Sequence, residues 1–373
     1  MRVLFSAVPA FGHLLPVLPL ARAARDAGAD VVVSTHDALA STVGDLPFVP
    51  AGPSLPELIA ENARRHEGRG PADLTDLAPI VGMFTGTRID LTLDSALAVA
   101  REHRPDLIVA ESSDFVATLV AAALGVPRVA VGISTALPPQ LEDLFAEAVQ
   151  RRLRESGLPD VPRTALVDVW PSWLQPDWYE APADAVAIRP EAHHDGTGRA
   201  LTPSFPGREH LPTVLLTLGT VVDDPALLAT ALAEILRHDV NVLVTVGPGV
   251  DPATLDVPRD RVHPTRFVPL AQLLATTSVV VAAGGAGTVL AALTRGVPLV
   301  ILPVLADQPL IAERVASFGA AVVREDVREL GTGVGLVLGD ERHRAAARTA
   351  AERLNAVASP AAVWDRLTTL LRA

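Results

Sequence analysis

The sequence lacks several residue types, and each absence narrows the possible functions. None of its 373 residues is cysteine, which excludes disulfides, thiolate catalysis and cysteine metal sites. It has no lysine and a formal net charge of −12, which argues against a nucleic-acid partner because counterion release needs clustered Lys and Arg. No apolar run approaches the roughly 18 residues of a membrane span, and no basic leader opens the chain. We therefore expect a cytoplasmic protein without a membrane partner.

What is present is an alternation of short apolar strands and helical segments. With 49% hydrophobic residues the chain has ample core for two domains. The alternation predicts an α/β fold with two parallel sheets, separated by a linker at Glu191–Pro212 that is rich in Gly, Pro and His. The predicted strands are Val3–Val8, Val31–Ser34, Leu107–Ala110 and Arg128–Val131, then Val214–Leu218, Val242–Val246, Ser278–Ala283, Val300–Leu302 and Ala321–Val323.

The segment Val279–Gln308 resembles a ligand site in outline. A buried strand leads into the glycine turn GGAG and a predicted helix, and a second strand is followed by Asp307 and Gln308. Glycine lets the backbone N–H groups at a helix N-terminus approach an anion, which the helix dipole also favours. A carboxylate beside a carboxamide suits vicinal hydroxyls such as those of a sugar. A glycine turn alone is about as common in purely structural roles as in ligand binding.

His13 lies in the corresponding place near the start of the chain. It follows the first predicted strand, in the loop before a helix predicted over Leu14–Ala27. Doubly wound sheets present catalytic groups at the carboxyl ends of their strands. A histidine there can accept a proton from a hydroxyl near neutral pH, although an isolated histidine at a helix start more often bonds only to backbone.

An ordered set of motifs resembles family 1 glycosyltransferases of the GT-B fold. The motifs cover essentially the whole chain, and the resemblance is to enzymes that attach deoxysugars to natural-product aglycones of polyketide and enediyne pathways. They are GHLLPVLPLARA from Gly12, TLGT from Thr217, FVP with LL from Phe267, GGAGT from Gly284, GVP from Gly296, ADQ from Ala306 and SPAAVWDRL from Ser359.

The resemblance implies two Rossmann-like doubly wound domains with an interdomain cleft. Residues 1–200 would bind the acceptor and residues 201–358 the nucleotide sugar, with a helix in 359–373 crossing back to the first domain. The partners implied are a nucleoside diphosphate sugar, of dTDP or UDP, and a small hydrophobic aglycone. No cofactor and no metal are implied, and the chain would be a monomer or a homodimer.

The resemblance also implies the reaction and its residues. His13 would be the general base that deprotonates the acceptor hydroxyl in an inverting transfer, and a carboxylate would orient it. Glu111 is the first choice for this carboxylate and Asp114 the second. The implied acceptor-binding residues are Phe11, Gly12 and Phe84. The implied donor-binding residues are Gly219, Thr220, Phe267, Val268, Gly284, Gly285, Ala286, Gly287, Thr288, Asp307 and Gln308.

Aromatic residues mark a second candidate for the acceptor site. The stretch Ser54–Thr87 and the cluster Trp170, Trp173, Trp178 and Tyr179 have the apolar area that would line a cleft for an aglycone. Tryptophans more often serve as core or interface anchors, and we expect this role at roughly two in three such positions. The sequence does not identify the aglycone or the sugar.

The chain departs from its family at two donor positions. Ala283 stands where the family usually has a histidine that donates to the diphosphate, and Ile311 stands where an asparagine is common. Losing one charge-assisted donor should cost on the order of 1.5 to 3 kcal/mol of phosphate binding. Three alternatives therefore remain: a catalytically impaired homologue acting as an auxiliary protein, a C- or N-glycosyltransferase, and a nucleotide-sugar epimerase of the same fold.

Overall fold

The computed structural model of the chain describes residues 1–70, 76–194, 200–219, 224–247, 251–266 and 268–372. The chain forms two compact units. The first comprises Met1–Ser172, Asp177–Arg189 and Ala358–Ala373, and the second comprises Trp173–Pro176 and Pro190–Val357. The first unit thus passes to the second after Arg189, immediately before the predicted linker Glu191–Pro212, which lies in the second unit.

The first unit contains a seven-stranded parallel sheet within the described residues. Its order is β3-β2-β1-β4-β5-β6-β7, so the strand order reverses between β1 and β4. The register there pairs Val3 with Leu107 and Ser6 with Ala110. The strands are β1 (Arg2–Ser6), β2 (Asp30–Thr35), β3 (Phe48–Pro50), β4 (Leu107–Glu111), β5 (Arg128–Val131), β6 (Ala165–Asp168) and β7 (Ala185–Ala187).

The helices of the first unit cover this sheet. Apolar side chains of β1, β2 and β4 pack against α6, α7 and α8 in one buried cluster, and α15 packs against α2. The helices are α1 (Phe11–Leu14), α2 (Leu18–Asp26), α3 (Ala40–Val43), α4 (Leu55–Arg65), α5 (Leu77–Val81), α6 (Arg88–His103), α7 (Phe115–Leu124), α8 (Pro139–Glu155) and α15 (Pro360–Leu370). A π-helix at Gly82–Thr87 joins α5 to α6.

The second unit contains a six-stranded parallel sheet in the part of the chain described. Its order is β10-β9-β8-β11-β12-β13, which reverses between β8 and β11. Its strands are β8 (Thr213–Thr217), β9 (Asn241–Thr245), β10 (Val262–Thr265), β11 (Val279–Ala282), β12 (Leu299–Ile301) and β13 (Ala321–Val323). Its helices are α9 (Pro225–Ile235), α10 (Leu270–Leu273), α11 (Ala286–Thr294), α12 (Gln308–Ser317), α13 (Leu330–Gly339) and α14 (Glu341–Asn355).

The two parallel sheets, each with a reversal of strand order, confirm the predicted doubly wound α/β architecture. Side chains of β8, β9, β11 and β12 form a buried cluster with α9 and α13, as expected of strands covered on both faces. The single helix predicted over Leu14–Ala27 is wrong. The chain forms α1 and α2 with a turn between them, because Pro16 has no N–H for a continuous helix and Pro19 lies in the first turn of α2.

Candidate active site

The loops after β1 and β4 meet at the point where the strand order of the first sheet reverses. Such a reversal leaves a crevice at the carboxyl edge of a parallel sheet, and it is the usual ligand position in doubly wound folds. β1 and β4 are hydrogen-bonded neighbours. His13 follows β1, Glu111 is the last residue of β4, and Asp114 precedes α7.

His13 and Glu111 form a hydrogen-bonded pair in this crevice. Nδ1 of His13 lies 2.9 Å from Oε1 of Glu111, and Oε2 of Glu111 accepts a hydrogen bond of 2.7 Å from the Ser113 backbone N–H. The Glu111 side chain is fully buried, whereas the imidazole is 19% exposed. Since Nδ1 faces the carboxylate, Nε2 is the ring nitrogen free to meet a substrate proton.

Burial and charge act in opposite directions on the pKa of His13. Desolvation lowers the pKa because it disfavours the imidazolium, while the negative charge of Glu111 and the hydrogen bond to it raise the pKa. Arg88 lowers it and Asp114 raises it by smaller amounts. The net pKa lies above the usual 6.5. The imidazolium is therefore stabilised in this crevice, as a proton acceptor requires.

Asp114 has other partners. Its Oδ2 accepts a 2.5 Å hydrogen bond from the Ser6 hydroxyl, and its Oδ1 accepts one of 3.1 Å from Nε of Arg88. Both Asp114 and Arg88 are buried. Of the two carboxylates weighed from the sequence, Glu111 is thus the one in contact with His13. Arg88 was missed, because a single arginine at the start of a helix resembles an ordinary surface residue.

Aromatic side chains lie against one side of the imidazole. The rings of His13 and Phe84 are 5.7 Å apart between centroids, and Phe145 meets Phe84 edge-on at 5.9 Å. Phe84 comes from the π-helix and Phe145 from α8. Phe11 is half-buried, and Gly12 is exposed beside open space. These residues give the crevice an apolar wall suited to a hydrophobic ligand.

The tryptophan cluster is split by the fold. Trp170 is fully buried in the core, and the Trp173 ring packs 4.6 Å from that of Phe318 with the Arg353 guanidinium over both rings. Trp178 is exposed. The pKa of Tyr179 is raised to about 12, mainly by burial and next by the negative charge of Asp168. The anchoring role therefore describes Trp170 and Trp173.

The glycine turn of the second unit leads into an open helix N-terminus. Gly284 has a φ of +93°, and a Cβ there would meet Ile301 Cγ2 at 2.7 Å, so that only glycine fits. Gly285 caps α11 without a side-chain hydrogen bond. Gly285, Ala286 and Thr288 are partly exposed and Gly287 is exposed. Uncapped N–H groups at this position suit an anion such as a diphosphate.

The remaining donor-site residues follow β8, β10 and β12. Gly219, after β8, has a φ of +85°, and Val268 is partly exposed. Thr220 and Phe267 lie outside the described residues. Asp307 precedes α12 and is partly exposed. β8 and β11 are neighbours, so Gly219 and the glycine turn leave the sheet at its strand-order reversal.

Gln308 is buried and is used by its own loop. Its Oε1 accepts hydrogen bonds from the backbone N–H groups of Val304, at 2.8 Å, and Leu305, at 3.0 Å. Only 8% of Gln308 is exposed. Ala306, which lies between Leu305 and Gln308 in the chain, has a φ of +54°, an uncommon value for a residue with a side chain. The Gln308 oxygen thus stabilises the turn that carries Asp307.

The two departures from the family's usual residues are both in the apolar core. Ala283 is 3% exposed and Ile311 is completely buried. Neither offers a polar atom to a ligand. In this chain, the donor groups of the glycine turn are therefore backbone N–H groups and the Thr288 hydroxyl.

Two features are absent from the part of the chain that the structure describes. No three His, Cys, Asp or Glu side chains there are grouped so as to hold a metal ion. Among the same residues, no helix combines the length and the apolar character needed to cross a membrane.

Comparison with known proteins identifies the family. The chain is 31% identical to the elloramycin glycosyltransferase of Streptomyces olivaceus, over 99% of this chain and 97% of that protein. It is 30% identical to the L-demethylnoviosyl transferase of Streptomyces niveus, over 98% and 97%. The chain belongs to the antibiotic deoxysugar glycosyltransferases of the GT-B fold. It is therefore an enzyme that transfers a sugar to an aglycone.

Two further findings agree with this assignment. Residues 229–370 match the family model of the C-terminal domain of erythromycin biosynthesis protein CIII-like proteins. A crystal structure of a glycosyltransferase from Streptomyces sp. SF2575 complexed with thymidine diphosphate superimposes with a TM-score of 0.80 at 27% identity, covering 99% of each chain. The resemblance inferred from the motifs and the GT-B fold are confirmed.

Proposed function

We propose that this glycosyltransferase moves a deoxysugar from a thymidine diphosphate sugar to a hydroxyl of a natural-product aglycone, with inversion and with His13 as general base. The observation that carries the proposal is the 2.9 Å pair of His13 and Glu111 at the strand-order reversal of the first sheet. Thymidine diphosphate is the nucleotide named for the similar crystal structure. Aglycones of antibiotic pathways are the acceptors that the names of the relatives indicate.

The chemistry follows from the two ring nitrogens of His13. Nδ1–H donates to Glu111, so Nε2 accepts the proton of the acceptor hydroxyl. The acceptor oxygen forms a bond to the anomeric carbon as the bond from that carbon to the diphosphate breaks, and the electron pair leaves with the nucleoside diphosphate. Glu111 stabilises the imidazolium formed in this step, as the carboxylate does in a Ser-His-Asp arrangement.

The second unit supplies the groups for the donor. The open N-terminus of α11 would hold the diphosphate through backbone N–H groups and the helix dipole. Asp307 would accept hydrogen bonds from sugar hydroxyls, and its loop is held by Gln308. In this scheme the charge of the leaving diphosphate is stabilised by the protein alone, and transfer in the presence of EDTA tests this part.

The experiment is incubation of the protein with thymidine diphosphate sugars and a panel of antibiotic aglycones, followed by mass spectrometry. The expected result is an aglycone heavier by one sugar residue, with the opposite anomeric configuration by NMR. His13→Gln should lower the rate about 10²- to 10⁴-fold, which is the usual contribution of a general base, and should leave binding of thymidine diphosphate unchanged. Retention of configuration, or equal loss of nucleotide binding, would contradict the proposal.

A further inference from the structure

One buried arginine outside the proposed mechanism acts through its charge on the ring of His13. Arg88 is 2% exposed and is the first residue of α6, directly after the π-helix. Its Nε donates to Oδ1 of Asp114 at 3.1 Å, and its Nη2 donates to the backbone carbonyl of Ala7 at 3.1 Å. Ser6 completes the group through its hydrogen bond to Asp114.

Stability alone does not explain this group. A buried ion pair is commonly no more stabilising than apolar side chains of the same size, because both charges lose their hydration. Here Nη1 of Arg88 is buried without a hydrogen-bond partner in the described structure, which adds a further cost. Buried charged groups that destabilise the fold in this way are often found at functional sites.

The contacts of Arg88 lead to residues 7–10, named the His13 loop because they lead into α1, the helix that contains His13. Ala7 is the first residue after β1, and the chain from Ala7 to Ala10 leads directly into the helix that carries His13. The π-helix that precedes Arg88 carries Phe84, whose ring lies against the imidazole. A π-helix turn shifts the residues that follow it relative to an α-helix, and such turns are frequent at functional sites. One short segment therefore contacts both the loop and the ring of His13.

Charges of both signs act on the His13 ring. The groups that act on its ring are Glu111 from β4, Asp114 before α7 and Arg88 from α6. Both carboxylates favour the imidazolium and the guanidinium disfavours it. A general base must be unprotonated at the start of the reaction, so a nearby positive charge opposes premature protonation.

We propose that Arg88 is a positioning residue for His13, which fixes the start of the His13 loop through Ala7 and opposes the charge of Glu111. Its importance for transfer rests on the proposed role of His13 as base. Its effect on the imidazole does not, and can be measured in the enzyme without substrates.

The test is an NMR titration of the His13 ring in the full chain, with the resonance assigned by its loss in His13→Gln. Arg88→Gln removes the positive charge and leaves Asp114 unopposed, so the pKa of His13 should rise. Asp114→Asn should lower it. The double variant, which keeps the net charge, should lie between the two, and it also avoids an unpaired buried charge if Arg88→Gln folds poorly.

Two controls separate positioning from general destabilisation. Arg128→Gln changes a partly buried arginine of β5 and should leave the pKa of His13 unchanged. Arg88→Lys keeps the charge and should restore most of the wild-type pKa. The same pKa in Arg88→Gln, Asp114→Asn and the double variant would overturn the proposal, as would an equal change in Arg128→Gln.

Kinetics then distinguishes this inference from the proposed function. The acid limb of kcat/KM against pH should move with the measured pKa in each variant, so Arg88→Gln should lose activity on the acid side of the profile by the factor that its measured pKa shift predicts. The His13 pKa can follow the expected order, highest in Arg88→Gln and lowest in Asp114→Asn, while the pH profile of kcat/KM does not move. In that case the inference about Arg88 stands, and the role of His13 as general base is refuted. An unchanged pKa with wild-type activity in Arg88→Gln refutes the inference alone.

Discussion

Replacing Glu111 by glutamine tests the charge of the His13 partner with almost no change in shape. Both carboxylate oxygens accept hydrogen bonds, Oε1 facing His13 Nδ1 at 2.9 Å and Oε2 facing the Ser113 N–H at 2.7 Å. Glutamine has only one such oxygen. If that oxygen faces Ser113, the amide NH₂ faces Nδ1, which places the ring proton on Nε2 and blocks the base. If it faces His13, the Ser113 N–H loses its acceptor.

The size of the effect follows from these contacts. Losing the charge removes a hydrogen bond to the imidazolium worth about 1.5–3 kcal/mol, and leaving a buried N–H unpaired or the tautomer wrong costs a further 1–3 kcal/mol or so. The sum corresponds to a fall in kcat of about 10²- to 10⁴-fold, at 1.36 kcal/mol for each factor of ten. The KM for the sugar nucleotide should change little, because Glu111 belongs to the first unit and the expected donor residues belong to the second.

The assay is steady-state transfer at several pH values, with calorimetric titration of thymidine diphosphate. Glu111→Gln removes the largest influence that raises the pKa of His13, so the acid limb of the profile should also move to lower pH. Glu147→Gln, an exposed glutamate of α8, is the matched control and should behave as wild type. A loss of less than fivefold in Glu111→Gln, or a loss explained by weaker nucleotide binding, would refute the role of Glu111.

Three further outcomes are expected. Gln308→Glu keeps an acceptor for the Val304 and Leu305 N–H groups and should retain more donor binding than Gln308→Leu; the reverse order by calorimetry would make the Gln308 amide a direct ligand. Ala283→His places an imidazole where the side chain is 3% exposed and should cost on the order of 1–3 kcal/mol, seen as a lower melting temperature; a stable variant with tenfold tighter nucleotide binding would contradict this. The pKa of His13 is raised on folding. The contribution of His13 to the free energy of unfolding is therefore fully present below about pH 6.5 and is lost as the pH rises through the pKa of the folded state. The urea midpoint of wild type relative to His13→Gln should therefore fall with pH, and a difference that grows with pH would contradict the pKa direction.

The sequence predicts nine of the thirteen strands in the described residues, each as a short apolar run, and it misses β3, β6, β7 and β10. Val3–Val8 and Val214–Leu218 each lie within two residues of the observed strands at both ends. The contact of His13 with Glu111 agrees with the position of ligand sites in doubly wound folds, since Glu111 ends β4 and His13 lies in the segment that follows the neighbouring strand β1. Arg88 could not be predicted, because its burial depends on a π-helix that has no signal in composition or periodicity.

The contacts of Gln308, like those of Arg88, could not be predicted from the sequence. A carboxamide beside a carboxylate after a strand suggests a ligand contact, and only the three-dimensional turn places its oxygen on Val304 and Leu305. Side chains that contact a ligand and side chains that hold a loop are drawn from the same residue types. The amino-acid sequence therefore indicates where the loops of the site lie, but it does not show which polar side chains in them contact a ligand and which hold the loop.

The two units rely on different physical means at equivalent positions of their sheets. The first places buried charges at its strand-order reversal, where Glu111, Arg88 and Asp114 surround a titratable ring. The second places uncapped backbone N–H groups there, at the glycine turn before α11. A backbone donor cannot be removed by changing a side chain, whereas each buried charge can. Single substitutions should therefore disable the proposed proton transfer in the first unit more readily than the proposed anion binding in the second, which is consistent with a glycine turn that carries alanine at position 283.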